Sequence, residues 1–424
     1  MSPLSIFLLG ADSIIGSAAF LLPGNLYAKA GNMIVLILIL SGLSALTLTL
    51  CYAGMASRTT GNGAGWLYAY NEFGRFAEFE VGLFTWIQEI LTIATEIAAF
   101  LTALKIFFPQ LNNLSIYRLS GIMVIILISI IGALGQKVSD IANDTATIIK
   151  LGILILFIVV GVWFIHGSNY VSSNRYSLMD YNSAYSNVFY MYTGFAFLPV
   201  AAAEMTNPEK NLPKEMLAVI ISVVTVYVLG FLVVIGMLRP KIAHDSAPLA
   251  IAFANHFGLL GKLIITFGTV GSILGVAISL SYSTPFIVSS LANEHELLPH
   301  FLGIKSKKGS PWVAIILTAL LCILLFLSGN YLFLVPCSVI VSLVQYFMTS
   351  LGMLKVQWKK KGRSKVKEHG FQLKGGIIIP SIALIVCIYI LINLEKKVII
   401  FGGILLGCGI VIYIIDFLFK KIRN

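Results

Sequence analysis

The sequence predicts an all-α integral membrane protein with twelve transmembrane helices, and three observations predict it. Hydrophobic residues make up 58% of the 424 and charged residues only 11%, against about 25% charged in a typical soluble domain. In water such a chain would present large apolar patches, so lipid is the solvent that fits. Twelve stretches approach the ~20 mainly apolar residues that a helical span requires, at 4–27, 33–56, 81–108, 119–135, 140–166, 184–204, 217–238, 260–290, 311–328, 331–354, 375–393 and 397–419. Finally, the cationic residues alternate between sides. Of 29 Lys and Arg, 19 fall in the loops that twelve crossings place with the two termini, nine fall opposite, and Lys150 lies within a span. The excess of positive charge marks the cytoplasmic side, so both termini are expected there, in a cell membrane.

The first span starts at Leu4 with no basic segment before it and no clear small-residue cleavage site, which reads as an uncleaved span. It runs Gly10-Ala-Asp12-Ser-Ile-Ile15-Gly16-Ser17-Ala18-Ala-Phe20-Leu-Leu-Pro23-Gly24. Small residues in mid-span followed by Pro-Gly predict an interrupted helix. In the third span Glu89 and Glu96 stand seven apart with Thr92 between them, so they share a helix face. Two carboxylates facing lipid would be costly, so that face is expected to look inward. Gln88 points elsewhere and Trp86 packs. Before the fourth span, Asn113-Leu-Ser115 matches a glycosylation acceptor. The fifth span carries Lys150 about ten residues, or roughly 15 Å, inside. The sixth, Tyr190-Met-Tyr192-Thr193-Gly194-Phe-Ala-Phe-Leu-Pro199, repeats the pattern of Gly, hydroxyl and Pro and predicts a second break. The two longest spans, the third and the eighth, are expected to tilt or to include interfacial turns. Glu204 and Asp416, near span ends, are expected to pair with nearby Lys. The run Lys359, Lys360, Lys361, Arg363, Lys365 and Lys367 is expected to face an anionic leaflet.

The same survey excludes several function classes. No loop much exceeds 20 residues, which leaves no room for a soluble catalytic or nucleotide-binding domain, and no GxxxxGK[ST] phosphate loop occurs. The five cysteines sit in apolar stretches and read as buried free thiols, and the six His form no metal constellation. The formal charge of +11 is a topology signal, so no nucleic-acid partner is expected. Neither an enzyme nor a cofactor or metal protein is expected.

Non-helical backbone at membrane depth is tolerated only where it is buried or lines a cavity. The free N–H groups at the start of a half-helix favour a carboxylate, and the free carbonyls at the end of one favour a cation. An α-amino acid carries both charges about one residue apart. Breaks in spans 1 and 6 lie five spans apart, as an inverted repeat of five helices requires. A mid-span charge is usually functional. Lys150 is therefore a candidate for proton coupling or for a fixed structural cation. Asp12 is a candidate for binding a cationic group, for proton transfer, or for bonding the broken backbone. Glu89 is a candidate for substrate or proton work.

These segments resemble the signatures of the amino acid–polyamine–organocation permease family. Ile15 to Gly24 resembles its first-span motif and Tyr192-Thr193-Gly194-Phe195 its sixth. Glu204 to Pro213, Gly65 to Gly74, and Leu297 to Phe301 followed by Gly309-Ser310-Pro311 are similar to its loop motifs. The resemblance implies the leucine-transporter-like fold. Spans 1–5 (residues 1–166) would form one repeat and spans 6–10 (184–354) the inverted second. A basic cytoplasmic loop (355–374) and spans 11–12 with the tail (375–424) would follow. It implies secondary transport of an amino acid or amine by alternating access, coupled to protons or run as exchange. By the same resemblance Ile15, Gly16, Ser17 and Ala18 would meet the substrate carboxylate and Tyr192, Thr193 and Gly194 its ammonium. Tyr190 would cap the bound molecule. Lys150 would occupy the space of a sodium ion found in other members. Ala18 stands where the family usually has Gly, and Ala196 where a Glu is frequent.

Overall fold

The computed structural model describes residues 3–59, 64–171, 176–204, 207–238, 247–306, 309–361, 371, 373 and 375–423. The first expected span is two helices, α1 (Pro3–Ile14) and α2 (Ala18–Ala30), followed by α3 (Ile34–Ala56). A short helix, α4 (Ala64–Phe73), occupies the next connection, and then come α5 (Arg75–Leu104), α6 (Leu114–Ala133) and α7 (Gln136–Gly161). The sixth stretch is α8 (Leu178–Met191) continued by a 3-10 helix, Phe195–Glu204. The remainder is α9 (Pro208–Leu238), α10 (Pro248–Asn293), α11 (Trp312–Ser328), α12 (Tyr331–Lys361), α13 (Ile378–Asn393) and α14 (Lys396–Arg423). No strand occurs among the described residues.

Among the described residues, eight helical segments are long and apolar enough to cross a membrane, the first running from Ile6 to Ala56 through the break. Trp312–Ser328 and Ile378–Asn393 are apolar but shorter. All twelve expected stretches are helical, with adjusted ends. α12 continues past 354 to Lys361, so the basic segment begins as helix, and Lys355 and Lys359 both approach Glu72 of α4 at 3.6 Å. Arg363, Lys365 and Lys367 lie outside the described residues, as do parts of the 204–213 motif.

Local chemistry explains several boundaries. α8 starts at a capping box in which Ser177 and Asp180 satisfy each other's backbone N–H. The Asn113 side chain accepts from the Ser115 and Ile116 amides and caps α6, so the residue that matches a glycosylation acceptor serves the helix start. α10 is two helices joined at Gly258, whose φ of 60° is left-handed backbone that glycine adopts at little cost. That corner lies just before the expected eighth span, 260–290, and the helical stretch itself starts at Pro248.

α5 runs through the centre, packed against α4, α10, α11 and α12. Its buried side chains include Glu78, Glu80, Glu89 and Glu96. The peripheral helices reverse this pattern: on α6, Leu119, Met123, Ile126, Leu127 and Ile130 are exposed. Apolar side chains outside and carboxylates inside are what a lipid solvent selects. Cys51, Cys322, Cys337 and Cys387 are buried thiols as expected, but Cys408 is exposed, because α14 lies at the periphery and presents that face outward.

His295, just beyond α10, places its Nδ1 2.6 Å from Glu78 Oε1 on α5. The Glu78 hydrogen bond holds the His295 pKa above its ordinary value, while burial acts the other way. A histidine with a raised folded pKa stabilises the fold below the unfolded value, about 6.5. That contribution is lost as pH rises through the folded value. His295→Ala is therefore expected to lower the melting temperature more at about pH 5.5 than at about pH 8.5. Equal losses at both pH values would show that the contact is not a titrating pair.

Candidate functional site

The two breaks meet. α1 stops at Ile14, Ile15 and Gly16 are non-helical, and α2 starts at Ala18. Between α8 and the 3-10 helix the chain turns through Tyr192–Gly194, with Gly194 at φ 108°. A Cβ on Gly194 would lie 2.1 Å from the Ser13 carbonyl oxygen, so the two unwound segments cross in direct contact. Helix ends leave carbonyls without intrahelical partners. One side chain serves both: the Tyr227 hydroxyl of α9 lies 3.3 Å from the Ile14 carbonyl and 3.1 Å from that of Met191.

A small cavity of about 30 Å³ lies at this crossing, lined by Asp12, Gly16, Ala18, Tyr190, Thr193 and Gly194 with Gln88, Thr92 and Glu96 of α5. It shares Asp12, Ser13, Thr92, Phe197 and Val276 with a cavity of about 560 Å³. The larger cavity continues to the exposed Glu294 and Lys305 near the end of α10. Elsewhere Phe20 and Leu21 of α2 meet Ala250, Thr266 and Thr269 of α10 around only about 10 Å³, and all five are buried. Among the described residues, the crossing is reached through the larger cavity.

The charged groups meet partners that their spacing along the chain does not show. Lys150 is fully buried, and its Nζ donates to Asp12 Oδ1 at 2.6 Å and to the Asp12 carbonyl at 3.1 Å. Two separate candidates are therefore one ion pair that ties α7 to the last turn of α1. Glu96 accepts from Ser17 N–H at 3.1 and 3.2 Å and from Ser17 Oγ at 3.0 Å. It caps the start of α2 as a carboxylate at a helix N-terminus does. A Cβ on Gly16 would lie 2.6 Å from Glu96 Oε1, so Gly16 permits that approach. Glu89 faces the larger cavity and accepts from Thr284 Oγ1 at 2.7 Å.

Two expectations are corrected by this geometry. Ile15 is 1% exposed, its N–H still donates to the Ala11 carbonyl at 2.9 Å, and it does not line the cavity; the backbone opens one residue later. The Tyr192 side chain lies toward α3, its hydroxyl donating to the Leu38 carbonyl at 3.0 Å and its ring against Tyr227, so only its backbone carbonyl is left for the contact with the ammonium that the resemblance implies. Ser17, expected to meet the carboxylate, is fully buried and lines neither cavity, because its N–H and Oγ are both taken by Glu96. Gln88 lines the small cavity and is hydrogen-bonded by the Gln345 amide. Trp86 packs as expected and donates to Thr318 Oγ1. The sequence reading missed Tyr227, Thr284 and Gln345. Each is an ordinary residue of an apolar helix, and nothing in the local pattern marks it.

A helical bundle with exposed apolar flanks and a cavity that reaches two unwound helices is the architecture of a membrane transporter. The chain matches the family model described as amino acid permease over residues 1–405, and it belongs to that family. Among its relatives, an uncharacterised transporter of Mycobacterium tuberculosis strain H37Rv is 27% identical, covering 93% of this chain and 87% of the relative. The methylthioribose transporter of Bacillus subtilis is 25% identical over 70% of this chain and 68% of its own. The branched-chain amino acid permease of the same organism is 23% identical over 96% and 90%. The protein is thus an integral, multi-pass membrane protein, of a family of transporters and not of enzymes.

Proposed function

We propose that this protein is a secondary transporter that imports an amino acid together with protons by alternating access. The observation that carries the reading is the buried Lys150–Asp12 pair, which binds α7 to the broken first helix beside the larger cavity. Protonating the Asp12 carboxylate or removing a proton from Lys150 weakens that tie and frees α1 to move. A ligand shifts such an equilibrium only by binding its two states unequally. A proton on this pair and a solute at the crossing both meet that condition.

In this reading the Gly16 and Ala18 amides receive the solute carboxylate, the Thr193–Gly194 turn receives its ammonium, and Tyr190 closes over it. The twelve stretches are twelve crossings with cytoplasmic termini, and residues 1–166 and 184–354 are the inverted repeats. The open end at Glu294 and Lys305 is then cytoplasmic, and the structure is inward-facing. A second reading, exchange of an amino acid for an amine, is favoured by the acidic lining of the cavity, to which Asp12, Glu89 and Glu294 contribute. Among the relatives, one is named for branched-chain amino acids and one for methylthioribose.

Proteoliposomes with an alkaline lumen and a radiolabelled amino acid mixture test this. Accumulation above equilibrium that a protonophore collapses is the expected result. Uptake that requires preloading with an amino acid or polyamine and ignores the pH gradient would establish exchange instead.

A further inference from the structure

Four polar residues of α5, Gln88, Glu89, Thr92 and Glu96, face the cavities at the helix crossing. Two are already engaged, Glu96 by Ser17 and Gln88 by the Gln345 amide. Glu89 differs. It is only 4% exposed, its carboxylate lines the larger cavity, and its donors are hydroxyls of α10, Thr284 and Ser283. Among the described residues no cation pairs with it. Asp12 borders the same cavity, but Lys150 answers its charge.

A buried carboxylate supported by hydroxyls alone is costly, since hydroxyls replace only part of the lost hydration and supply no countercharge. A countercharge can reach it through the cavity of about 560 Å³ that Glu89 faces. That space lies within the range of ligand pockets, about 300–1,000 Å³, and exceeds what a small zwitterion at the crossing needs. Glu89 stands seven residues from Glu96, roughly 10 Å along the helix axis, on the side of the open end. A solute whose α-carboxylate and α-ammonium rest at the two breaks would send its side chain along this face toward Glu89.

We propose that Glu89, with the Thr284 and Ser283 hydroxyls, is a side-chain subsite for a second cationic group, an ammonium or a guanidinium, and that the transported solutes are basic amino acids. This rests on the transporter reading above and adds the substrate class. Hydroxyls that orient one carboxylate oxygen leave the other to accept from the cation, and charge-assisted bonds of this kind are the strong ones.

The test uses the purified full chain with L-arginine, L-lysine, L-leucine, L-alanine and putrescine, reading ligand-dependent thermal stabilisation and competition for labelled uptake. Wild-type protein is expected to prefer arginine or lysine over leucine and alanine. In Glu89→Gln, which keeps the size of the side chain and its bond to Thr284, the ratio of basic to neutral affinity should fall at least tenfold. Glu89→Asp should recover part of it. Putrescine binding that Glu89→Gln removes would support the cation subsite while moving the function to the amine reading. The proposal is overturned if wild-type protein binds only neutral amino acids, which leaves the transporter reading intact. Silence with every probe would remove both. It is also overturned if Glu89→Gln keeps the basic preference but loses pH-driven accumulation, which would make Glu89 a proton site.

Discussion

Lys150→Ala is expected to abolish accumulation driven by a pH gradient, lowering it at least tenfold. The lysine has no solvent contact and its two bonds go to Asp12. Removing it leaves a carboxylate buried beside the helix break with nothing to answer its charge. Breaking one side of a buried pair costs about 3–5 kcal/mol, so the single variant is also expected to melt earlier. The double variant Asp12→Asn/Lys150→Met separates the two effects. Replacing both charges by neutral groups is often near neutral in stability, so this protein should fold while its uptake ignores pH. If the double variant still concentrates solute in response to an alkaline lumen, the pair is structural only and the proton site lies elsewhere.

Gly194→Ala is expected to be the most damaging single methyl that can be added near the site. The residue holds φ at 108°, where a side chain strains the backbone by roughly 1–3 kcal/mol. The added carbon would also sit 2.1 Å from the Ser13 carbonyl oxygen, a backbone atom that cannot swing aside. The two unwound segments would have to part, and with them the cavity they enclose. Loss of measurable uptake and a melting temperature lowered by several degrees are expected. Gly152→Ala on α7, where a Cβ meets nothing within 4 Å, provides the contrast. It is expected to be neutral or slightly stabilising, because alanine is the better helix former. Comparable behaviour of the two variants would mean that the crossing is not tight in the working protein.

The breaks were legible because they depend on local chemistry. Gly and Ser clustered in mid-span with a nearby Pro weaken a helix locally, and the structure stops α1 at Ile14 and α8 at Met191, while Pro23 itself stays within α2. Lys150, Asp12, Glu89 and Glu96 stood out because a charge in an apolar run is conspicuous. Which charge answers which was not legible. Lys150 meets Asp12 across 138 positions and Glu96 meets Ser17 across 79, and no periodicity connects residues on helices brought together only by packing. Ile15 and Ser17 were assigned to the substrate by their place in a motif. The Ile15 N–H still bonds within α1 and Ser17 is taken by Glu96, and motif spacing carries no information about either partner.

The sequence by itself determined the solvent, the helical class, the interrupted helices and the presence of buried charge. Each follows from composition or from a few adjacent residues, through the cost of exposing polar groups to lipid. Only the tertiary structure decided how that charge is used. It paired Lys150 with Asp12, gave Ser17 to Glu96, set one tyrosine of α9 under both helix ends, and left Glu89 facing an open cavity. Those outcomes depend on distances between helices far apart in the chain, and an electrostatic interaction is fixed by distance and burial, which only packing supplies.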